Sequence, residues 1–338
     1  MNSLISTGPR QLAFGEWEEP SISPGQVLIE VAACGICGTD LHVYTGLPAA
    51  WPVPGVRGHE FAGTVLALAD DVGGFQEGDR VVAQPLVYCG RCRFCRSGQT
   101  NLCANLVLIG GEQPGGFTEQ VAVPASSLFK VPENLSLKQA ALVETLATAV
   151  HAFEQNVFGI LRSVAVLGAG SQGLFAVQLA RLAGAKLIAV SETLPYRLAM
   201  AKTLGATHAI NAGEDNPVEV MLALTKGAGV DLVIEAAGKA VTRQQATQLL
   251  RPGGTAIFLA LGAESTQIDF MTVVPRELHL RGTQCYTDAD FALATELLAS
   301  GEIVVDPMIT EMPLEKGAAA FEALASNPGE MIKVILEP

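Results

Sequence analysis

Four cysteines in one short stretch are the most specific chemical signal in the sequence. Two-residue spacers separate the first three and a seven-residue spacer precedes the fourth: Cys89, Cys92, Cys95 and Cys103. Four thiolates on one loop can complete the tetrahedral shell of a structural Zn²⁺ and leave no open position. An iron–sulfur cluster is the alternative, but ferredoxin-type runs continue with a short spacer and a Cys-Pro, whereas Ala104 follows here. We therefore expect a zinc lobe at about residues 88–104, folded by its metal.

A second, dispersed group of metal-type ligands lies nearer the start of the chain. Cys37 stands in Gly-Ile-Cys-Gly-Thr-Asp at 35–40, and His59 and Glu60 stand in Gly-His-Glu-Phe-Ala-Gly at 58–63. Each lies in a turn bracketed by glycine, away from regular apolar spacing. A mixed sulfur, nitrogen and oxygen set with fewer than four protein ligands leaves room for a substrate, as catalytic zinc requires. Taken alone, a single Cys or His is more often part of a packed core than a metal ligand.

A glycine-rich turn predicts a dinucleotide site. It follows a strand-like run at 163–167, opens a helical pattern, and contains Gly168, Gly170, Gln172 and Gly173. The three glycines of such a turn permit the tight bend, the close approach of a pyrophosphate and the close packing of helix on strand. The phosphates then lie at the helix N-terminus, where free N–H groups and the positive end of the dipole face them.

An acidic residue after the next strand indicates which dinucleotide binds. Glu192 stands nineteen positions after Gly173, where a carboxylate can accept two hydrogen bonds from a ribose diol and repels a 2′-phosphate. This favours NAD over NADP. Arg197 lies nearby and is the type of residue that can serve a 2′-phosphate. A solvated strand end is the alternative interpretation of Glu192.

The elements that must position these residues fall into two parts of the chain. Up to about residue 130, short β-type runs alternate with Gly, Pro and Asp. From about residue 160, strands and helices alternate, as in a parallel sheet covered by helices on both faces. The strands predicted there are 163–167, 187–190, 231–235 and 255–259, and the helices are 172–183, 195–204 and 241–250.

The end of the chain is too short to form a domain alone. After residue 285, two helical stretches precede an apolar run at 332–336. We expect this tail to complete the first domain, which gives a β-rich domain of residues 1–148 and 285–338 and a dinucleotide-type domain of residues 149–284. The predicted fold class is α/β, with a doubly wound parallel sheet in the second domain.

Composition excludes several classes of protein. The 338 residues are 49% hydrophobic and 16% charged, which is too apolar for a disordered chain and suits about two domains of ~150 residues. The net charge of −13 disfavours nucleic acid and anionic lipid as partners. No apolar run reaches the ~18 residues of a membrane span. Seven bunched cysteines without an export signal suggest metal binding in the reducing cytoplasm.

Taken together, these motifs resemble those of the zinc-dependent medium-chain alcohol and polyol dehydrogenases, a family that includes sorbitol, butanediol and threonine dehydrogenases. The resemblance runs essentially from end to end. Beyond the motifs above it covers Gly-Asp-Arg-Val at 78–81, Gly-Gly-Phe-Thr-Glu at 115–119, Leu-Val-Glu-Thr-Leu at 142–146 and Ile-Lys-Val-Ile-Leu-Glu-Pro at 332–338. It implies a GroES-like catalytic domain, a Rossmann domain that binds NAD, an active site in the cleft between them, and two Zn²⁺ per chain.

The resemblance also implies roles for individual residues. It makes Cys37 and His59 ligands of the catalytic zinc, and Glu60 a ligand that can come and go during turnover. Glu144 occupies the third-ligand position, where contact with zinc can be direct or through water. Asp40 matches the carboxylate that orients the histidine ligand and fixes its tautomer.

Two further residues match the family's proton relay. Thr39 supplies the hydroxyl and His42 the imidazole that pass the alcohol proton to solvent; a surface histidine is the alternative for His42. The chain departs from the family where Cys285-Tyr286 replaces a frequent Arg-Tyr near the substrate. This departure disfavours long polyols and phosphorylated sugars. The Pro-rich segment 47–56, which includes Trp51, is expected to line the pocket with apolar surface.

The implied function is the NAD-linked interconversion of a secondary alcohol, diol or polyol and its ketone by hydride transfer. A neutral substrate is favoured because an acidic cleft hinders anions. A non-catalytic dinucleotide-binding protein and a zinc-independent quinone-type reductase are the alternatives. The family implies a homodimer or homotetramer, and we expect the strand near 255–261 to extend a sheet between subunits.

Overall fold

The computed structural model describes residues 1–46, 51–155, 162–262 and 265–338, so that part of the predicted pocket segment, residues 47–50, lies outside the described residues. The described chain forms two compact units. The first comprises Met1–Ala147, Tyr286–Gly301 and Val305–Pro338, and the second comprises Thr148–Cys285 and Glu302–Val304.

The short segment Glu302–Val304 departs from the predicted boundaries, which placed all of 285–338 in the first domain. Gln178 of the second unit holds this segment. The Val304 N–H donates to Gln178 Oε1 at 2.9 Å, and Gln178 Nε2 donates to the Val304 carbonyl at 3.0 Å. The buried amide of Gln178 thus accepts from and donates to the backbone of one residue, and this pair of bonds fixes the segment to the second unit.

The strands, in chain order, are β1 Asn2–Gly8, β2 Gln11–Glu16, β3 Gln26–Gly35, β4 Gly55–Val56, β5 Glu60–Leu68, β6 Arg80–Ala83, β7 Leu86–Val87, β8 Val107–Leu108, β9 Gln120–Pro124, β10 Leu128–Lys130, β11 Ser163–Leu167, β12 Leu187–Glu192, β13 His208–Asn211, β14 Val230–Glu235, β15 Leu250–Phe258, β16 His279–Gly282, β17 Ile309–Pro313 and β18 Lys333–Glu337. The α-helices are α1 Gly38–Tyr44, α2 Arg93–Arg96, α3 Leu137–Ala141, α4 Val143–Glu154, α5 Ser171–Leu182, α6 Pro195–Thr203, α7 Pro217–Leu224, α8 Ala240–Leu249, α9 Phe270–Val273, α10 Asp288–Ala299 and α11 Gly317–Ser326. Among the described residues, no helix combines the length and apolar character that crossing a bilayer requires.

The first unit is organised by a mainly antiparallel sheet. Its described strands run in the order β10-β6-β5-β3-β18-β17, with β9 also paired to β3. Antiparallel pairing places Gly35, at the end of β3, opposite Glu60, at the start of β5. Strand β18 pairs with the same end of β3, at Gly35 and Cys34. The ends of three neighbouring strands therefore converge on one point, and the chain's second group of metal-type ligands lies there.

The second unit is the expected doubly wound domain. Its described strands are all parallel and run in the order β13-β12-β11-β14-β15-β16. In chain order this is 3-2-1-4-5-6, the arrangement of dinucleotide-binding folds. The order reverses between β11 and β14, and the glycine-rich turn follows β11 directly. Strand β13 and helix α7, which were not predicted, complete the alternation.

The strand expected to extend a sheet between subunits does not have a free edge. Strand β15, which covers most of 255–261, pairs with β14 on one side and β16 on the other. The expectation for this strand was wrong because apolar content marks central strands as well as exposed ones. Among the described strands, β16 forms that edge of the sheet.

Candidate zinc centres and dinucleotide site

One group of candidate ligands is assembled where β3 and β5 pair. The Sγ atom of Cys37, a ring nitrogen of His59 and a carboxylate oxygen of Glu60 all lie within 4.8 Å of one another. His59 and Glu60 are buried and Cys37 is half-buried. Gly35 has no room for a side chain because a Cβ atom there would collide with Glu60 Oε2. The glycine that precedes Cys37 thus allows the carboxylate of Glu60 to enter the cluster.

A buried ion pair holds Glu60 from its other side. Lys333, the first residue of β18, places Nζ at 2.7 Å from Glu60 Oε1 and 2.6 Å from Oε2, and it also donates to the Ile36 carbonyl at 3.2 Å. Burial raises the pKa of Glu60, but the charges of Lys333 and His59, together with the hydrogen bonds that Glu60 accepts, lower that pKa below its ordinary value. Lys333 was not among the predicted site residues, although a lysine within an apolar strand was a signal of a paired buried charge.

Asp40 lies behind His59. Its Oδ2 accepts a 3.0 Å hydrogen bond from the Cys37 N–H at the start of α1. Its Oδ1 faces His59 Nδ1 at 3.7 Å, and neither atom has a hydrogen-bond partner among the described residues. Burial lowers the pKa of His59, but the charges of Asp40 and Cys37 raise it well above its ordinary range. With Nδ1 directed at Asp40, Nε2 is the nitrogen left for a metal.

Glu144 lies near this group but outside the 4.8 Å set. It is buried at the start of α4, and its Oε1 accepts a 2.8 Å hydrogen bond from Tyr286 Oη. Burial raises the pKa of Glu144 to about 7, the charge of Glu60 adds to the rise, and His59 and the hydrogen bond from Tyr286 oppose it. The sequence showed Cys285-Tyr286 as a departure from the family pattern, and the structure shows Tyr286 as a buried partner of a candidate ligand.

The two predicted relay residues share α1. Thr39 Oγ1 lies 3.7 Å from Cys37 Sγ, within hydrogen-bond distance for sulfur. His42 is half-buried three residues further on, and this spacing places both side chains on one face of the helix. The structure thus positions Thr39 beside the candidate ligands and His42 one helical turn away.

These residues fit a catalytic zinc. Thiolate, imidazole and carboxylate are its usual ligands, and a set that leaves one position open is typical of catalytic sites. Two buried atoms without partners, His59 Nδ1 and Asp40 Oδ1, face each other as in the carboxylate–histidine pairs that orient metal ligands. Metal binding would displace the proton that the raised pKa of His59 retains.

The four-cysteine lobe forms a second, separate set. The four sulfur atoms of Cys89, Cys92, Cys95 and Cys103 lie within 4.8 Å of one another. Cys92 Sγ is 3.5 Å from Cys95 Sγ and 4.0 Å from Cys103 Sγ. Ligands on a tetrahedron with Zn–S bonds of ≈ 2.3 Å are separated by about 3.8 Å, so the spacing fits a tetrathiolate zinc.

Backbone N–H groups favour the thiolate form of two cysteines in this lobe, Cys89 and Cys92. Hydrogen bonds from the backbone of Arg91 and Cys92 lower the pKa of Cys89 to about 6. The backbone of Cys95 and Ala104 lowers the pKa of Cys92 in the same way. Cys103 accepts further backbone N–H bonds from Cys89 at 3.3 Å and Asn105 at 3.4 Å. Such donors stabilise the negative charge that a metal-binding thiol must carry.

The glycine-rich turn has the shape that a pyrophosphate requires. A Cβ atom on Gly173 would collide with the Gly168 carbonyl, so this glycine is needed for helix packing. Gly168 has φ +99°, which a residue with a side chain rarely adopts. A Cβ atom on Gly170 would meet nothing within 4 Å, so its surface is open where a ligand would approach. Gln172 lies in the first turn of α5, which begins beside this opening.

Glu192 ends β12 next to this turn. Its Oε2 accepts a 3.0 Å hydrogen bond from the Ala169 N–H, and its Oε1 accepts bonds from Thr193 and Leu194. Arg197 Nη1 is 4.0 Å from Glu192 Oε2. The structure therefore brings Glu192 and Arg197 together beside the glycine-rich turn. This arrangement can hold the ribose of a dinucleotide.

Two family models match most of the chain. Residues 23–133 match the alcohol dehydrogenase GroES-like domain, and residues 173–300 match the zinc-binding dehydrogenase domain. Among curated proteins, the sorbitol dehydrogenase of Bacillus subtilis is 32% identical, with 100% of this chain and 97% of the relative covered. The 2-dehydro-3-deoxy-L-galactonate 5-dehydrogenase of Pseudoalteromonas atlantica is 34% identical, with 96% of each covered.

Solved structures agree with these relatives. The 2R,3R-butanediol dehydrogenase of Bacillus subtilis has a TM-score of 0.91 at 30% identity, covering 100% of this chain and 99% of that one. A zinc-binding dehydrogenase from Sinorhizobium meliloti, solved with NADP bound, has a TM-score of 0.92 at 33% identity, with the same coverage. This protein therefore belongs to the zinc-dependent medium-chain alcohol and polyol dehydrogenases, a family of NAD-linked oxidoreductases.

Proposed function

We propose that this enzyme interconverts a neutral secondary alcohol, diol or polyol and its ketone, with the cluster around His59 as its catalytic centre. The observation that carries the proposal is the convergence of Cys37, His59 and Glu60 at the paired ends of β3 and β5. In this family a zinc held there supplies Lewis acidity that acidifies a hydroxyl group. NAD supplies the acceptor for the hydride.

The chain's own residues then position groups and move the proton. Cys37 and His59 hold the metal, and Asp40 orients the His59 ring through Nδ1. Thr39 Oγ1 accepts the proton of the substrate hydroxyl as its own hydroxyl proton leaves toward His42, and His42 releases a proton to water. Neutral substrates are favoured because the net charge of −13 disfavours the approach of an anion.

Glu60 and Glu144 have different roles in this proposal. Lys333 binds both oxygens of Glu60, so a movement of Glu60 toward the metal would weaken that contact. Glu144 has Oε1 bound to Tyr286, which leaves Oε2 for the metal or for a water between them. We therefore infer that Glu144 is the standing third ligand and that Glu60 is the exchanging one.

We propose NAD as the cofactor and two zinc ions per chain. The position of Glu192 supports NAD, because a carboxylate at the end of β12, bonded to the Ala169 N–H of the glycine-rich turn, repels a 2′-phosphate. Arg197 is the residue that would serve NADP, and a relative binds NADP. The two ligand sets described above support one catalytic and one structural zinc.

We also propose that the protein is cytoplasmic and forms a homodimer or homotetramer. The cytoplasm is supported by the four cysteines that form a metal-type set instead of disulfides. A homodimer or homotetramer is supported by the edge strand β16 and by the exposed apolar side chains of Phe270, Met271 and Val274 before it. Light scattering that compares the molar mass of Met271→Glu with that of wild type tests whether this surface lies between subunits.

Zinc content and NAD reduction together test the main proposal. The metal-replete protein is expected to hold two zinc ions per chain and to reduce NAD with secondary alcohols, diols or polyols. Cys37→Ser and His59→Ala should abolish turnover and leave NAD binding intact, with Glu214→Ala, an exposed residue outside both ligand sets, as the control. A replete protein with zinc in the four-cysteine lobe alone would contradict the proposal. The non-catalytic and quinone-reductase alternatives find no support among the relatives above.

A further inference from the structure

The four-cysteine lobe is tied to helix α10 by a phenol and a carboxylate. Tyr88, which follows β7 and precedes Cys89, donates through Oη to Asp288 Oδ2 at 2.5 Å. Asp288 is the first residue of α10, and its Oδ1 accepts a 3.0 Å hydrogen bond from Nε2 of the buried Gln84, which follows β6. A hydrogen bond to an ionised carboxylate is roughly twice as strong as one between neutral groups. Tyr88 and Gln84 therefore fix both oxygens of the Asp288 carboxylate.

The position of Tyr88 depends in turn on the metal-type ligands of the lobe. The peptide group that joins Tyr88 to Cys89 donates its N–H to Cys103 Sγ at 3.3 Å. On the other side of Tyr88, β7 pairs with β8 and closes the base of the lobe. A metal bonded to the sulfur atoms of Cys89 and Cys103 therefore fixes the backbone from which the Tyr88 side chain extends.

The start of α10 joins Asp288 firmly to Tyr286. Thr287 lies between them as the N-cap, and its N–H and hydroxyl donate to Asp290 Oδ2 at 2.8 Å and 2.6 Å. The Phe291 N–H donates to the Thr287 carbonyl at 3.0 Å, and the rings of Tyr286 and Phe291 pack with centroids 5.6 Å apart. These contacts bind residues 286–291 into one unit, so a displacement of Asp288 also displaces Tyr286.

Tyr286 carries this connection to the catalytic centre. Its side chain is fully buried, and its hydroxyl donates to Glu144 Oε1 at 2.8 Å. A path of direct contacts thus runs from the four-cysteine set through Tyr88, Asp288 and Tyr286 to Glu144. All four of these residues belong to the first compact unit.

We propose that Tyr88 and Asp288 are positioning residues through which zinc in the four-cysteine lobe strengthens zinc binding at the catalytic centre. The inference rests on the proposed function, since it needs Glu144 to contact the catalytic zinc directly or through water. A fixed Tyr286 holds Glu144 in place before the metal arrives, and a ligand that is already oriented loses less conformational freedom on binding. Coupling between two binding sites is reciprocal, so zinc at the catalytic centre also strengthens zinc binding in the lobe.

The primary readout is the dissociation constant of the catalytic zinc, measured by competition with a fluorescent zinc chelator of known affinity. Tyr88→Phe keeps the ring and removes the donor, and Asp288→Ala removes the acceptor. A Cys37→Ser background lacks a catalytic ligand, so the zinc that it retains identifies the signal of the lobe. Asn134→Ala is the matched control, because it removes a 2.7 Å hydrogen bond to the Ala299 carbonyl at the opposite end of α10.

The expected result is a selective loss at the catalytic centre. Tyr88→Phe and Asp288→Ala should each raise Kd for the catalytic zinc about tenfold, and Asn134→Ala should leave it unchanged. Asp288→Asn keeps an oxygen that can accept from Tyr88 and should give an intermediate value. In the same variants kcat should fall while KM for NAD stays level. In a Tyr286→Phe background, Tyr88→Phe should add nothing, because the path is already broken.

Emptying the lobe tests the coupling directly. Cys95→Ser should weaken the catalytic zinc about tenfold in an otherwise wild-type chain and should have no such effect when combined with Tyr88→Phe. The comparison of Tyr88→Phe and Asp288→Ala with wild type decides the question even if Cys95→Ser fails to fold.

Other outcomes overturn the inference in distinguishable ways. An unchanged Kd for the catalytic zinc in Tyr88→Phe and Asp288→Ala, in a wild type that binds two zinc ions, contradicts the inference and leaves the proposed function standing. An equal effect of Tyr88→Phe with and without the Tyr286 hydroxyl would show that Tyr88 acts by another route, which also contradicts it. A wild-type protein that binds zinc in the four-cysteine lobe alone contradicts both.

Discussion

The hydroxyl of Tyr286 donates a 2.8 Å hydrogen bond to Glu144 Oε1 inside the first unit, where both side chains are buried. Tyr286 begins the segment that leads into α10, and its ring packs on Phe291 with centroids 5.6 Å apart. The late part of the chain thereby supplies a fixed donor to a carboxylate near the middle of the sequence. This contact engages Oε1 of Glu144.

Removing this donor should impair catalysis more than folding. In Tyr286→Phe the ring is retained and a buried carboxylate oxygen loses its partner, at a cost of about 1–3 kcal/mol in unfolding free energy. We expect kcat/KM to fall at least about tenfold. The pH profile should shift upward, because the hydrogen bond from Tyr286 lowers the pKa of Glu144 and its loss raises that pKa. Tyr44→Phe, which removes a bond to half-exposed Glu322, is the control. An equal loss of activity in both variants would contradict the role of Tyr286.

The metal-free enzyme should lose stability as pH rises, in part through Glu144. Its pKa is about 7 when folded and 4.5 in the unfolded chain, so the folded state binds more protons between these values. The contribution of Glu144 to the free energy of unfolding is therefore fully present below pH 4.5. It declines up to about pH 7, by roughly 3 kcal/mol at 1.36 kcal/mol per pKa unit. Chemical denaturation across this range should show a smaller decline in Glu144→Gln. Parallel curves for the two proteins would refute the assignment.

The ion pair of Lys333 with Glu60 should be essential for folding around the centre. Lys333→Met leaves a buried carboxylate uncompensated, which destabilises proteins by about 3–5 kcal/mol. Lys138→Met, at an exposed pair with Glu311, is the matched control and should change the melting temperature little. The double variant Lys333→Met/Glu60→Leu should recover stability and lose activity. Failure to recover stability would indicate that Lys333 acts through contacts other than Glu60.

The four-cysteine lobe should require its metal. Cys95→Ser is expected to lower zinc content from two to one ion per chain and to lower the melting temperature, because the metal folds the lobe. Cys285→Ser, outside both ligand sets, should leave both values unchanged. Mass spectrometry under native conditions and differential scanning fluorimetry measure the two quantities. Wild-type zinc content and melting temperature in Cys95→Ser would exclude a structural zinc.

Glu192 should decide the preference between the two dinucleotides. Glu192→Ala removes a diol acceptor and a charge that repels a 2′-phosphate, so Kd for NAD should rise about tenfold or more while that for NADP stays level or falls. Glu214→Ala, an exposed residue beyond β13, is the control. Calorimetric titration with both dinucleotides measures the ratio. An unchanged ratio of the two Kd values would indicate that Glu192 only stabilises the turn, through its hydrogen bond from the Ala169 N–H.

The sequence by itself determined the parts whose signal is local. The four-cysteine spacing, the glycine-rich turn with Glu192, and the strand–helix alternation all depend on neighbours in the chain, so their types and spacing were sufficient. The sequence also indicated that the tail returns to the first domain, since Ile332–Leu336 could not form a domain alone. The fold class was therefore predictable.

Tertiary structure alone decided which distant residues meet. Lys333 meets Glu60 because β18 pairs with β3, and Tyr286 meets Glu144 because α10 packs in the first unit; neither contact has a local sequence signature. The sequence likewise did not show which strand forms the edge of the parallel sheet, because apolar strands have similar sequences whether one or both of their sides are paired. Pairing across long stretches of chain depends on the global packing of strands, and it is this packing that turns scattered ligands into a centre.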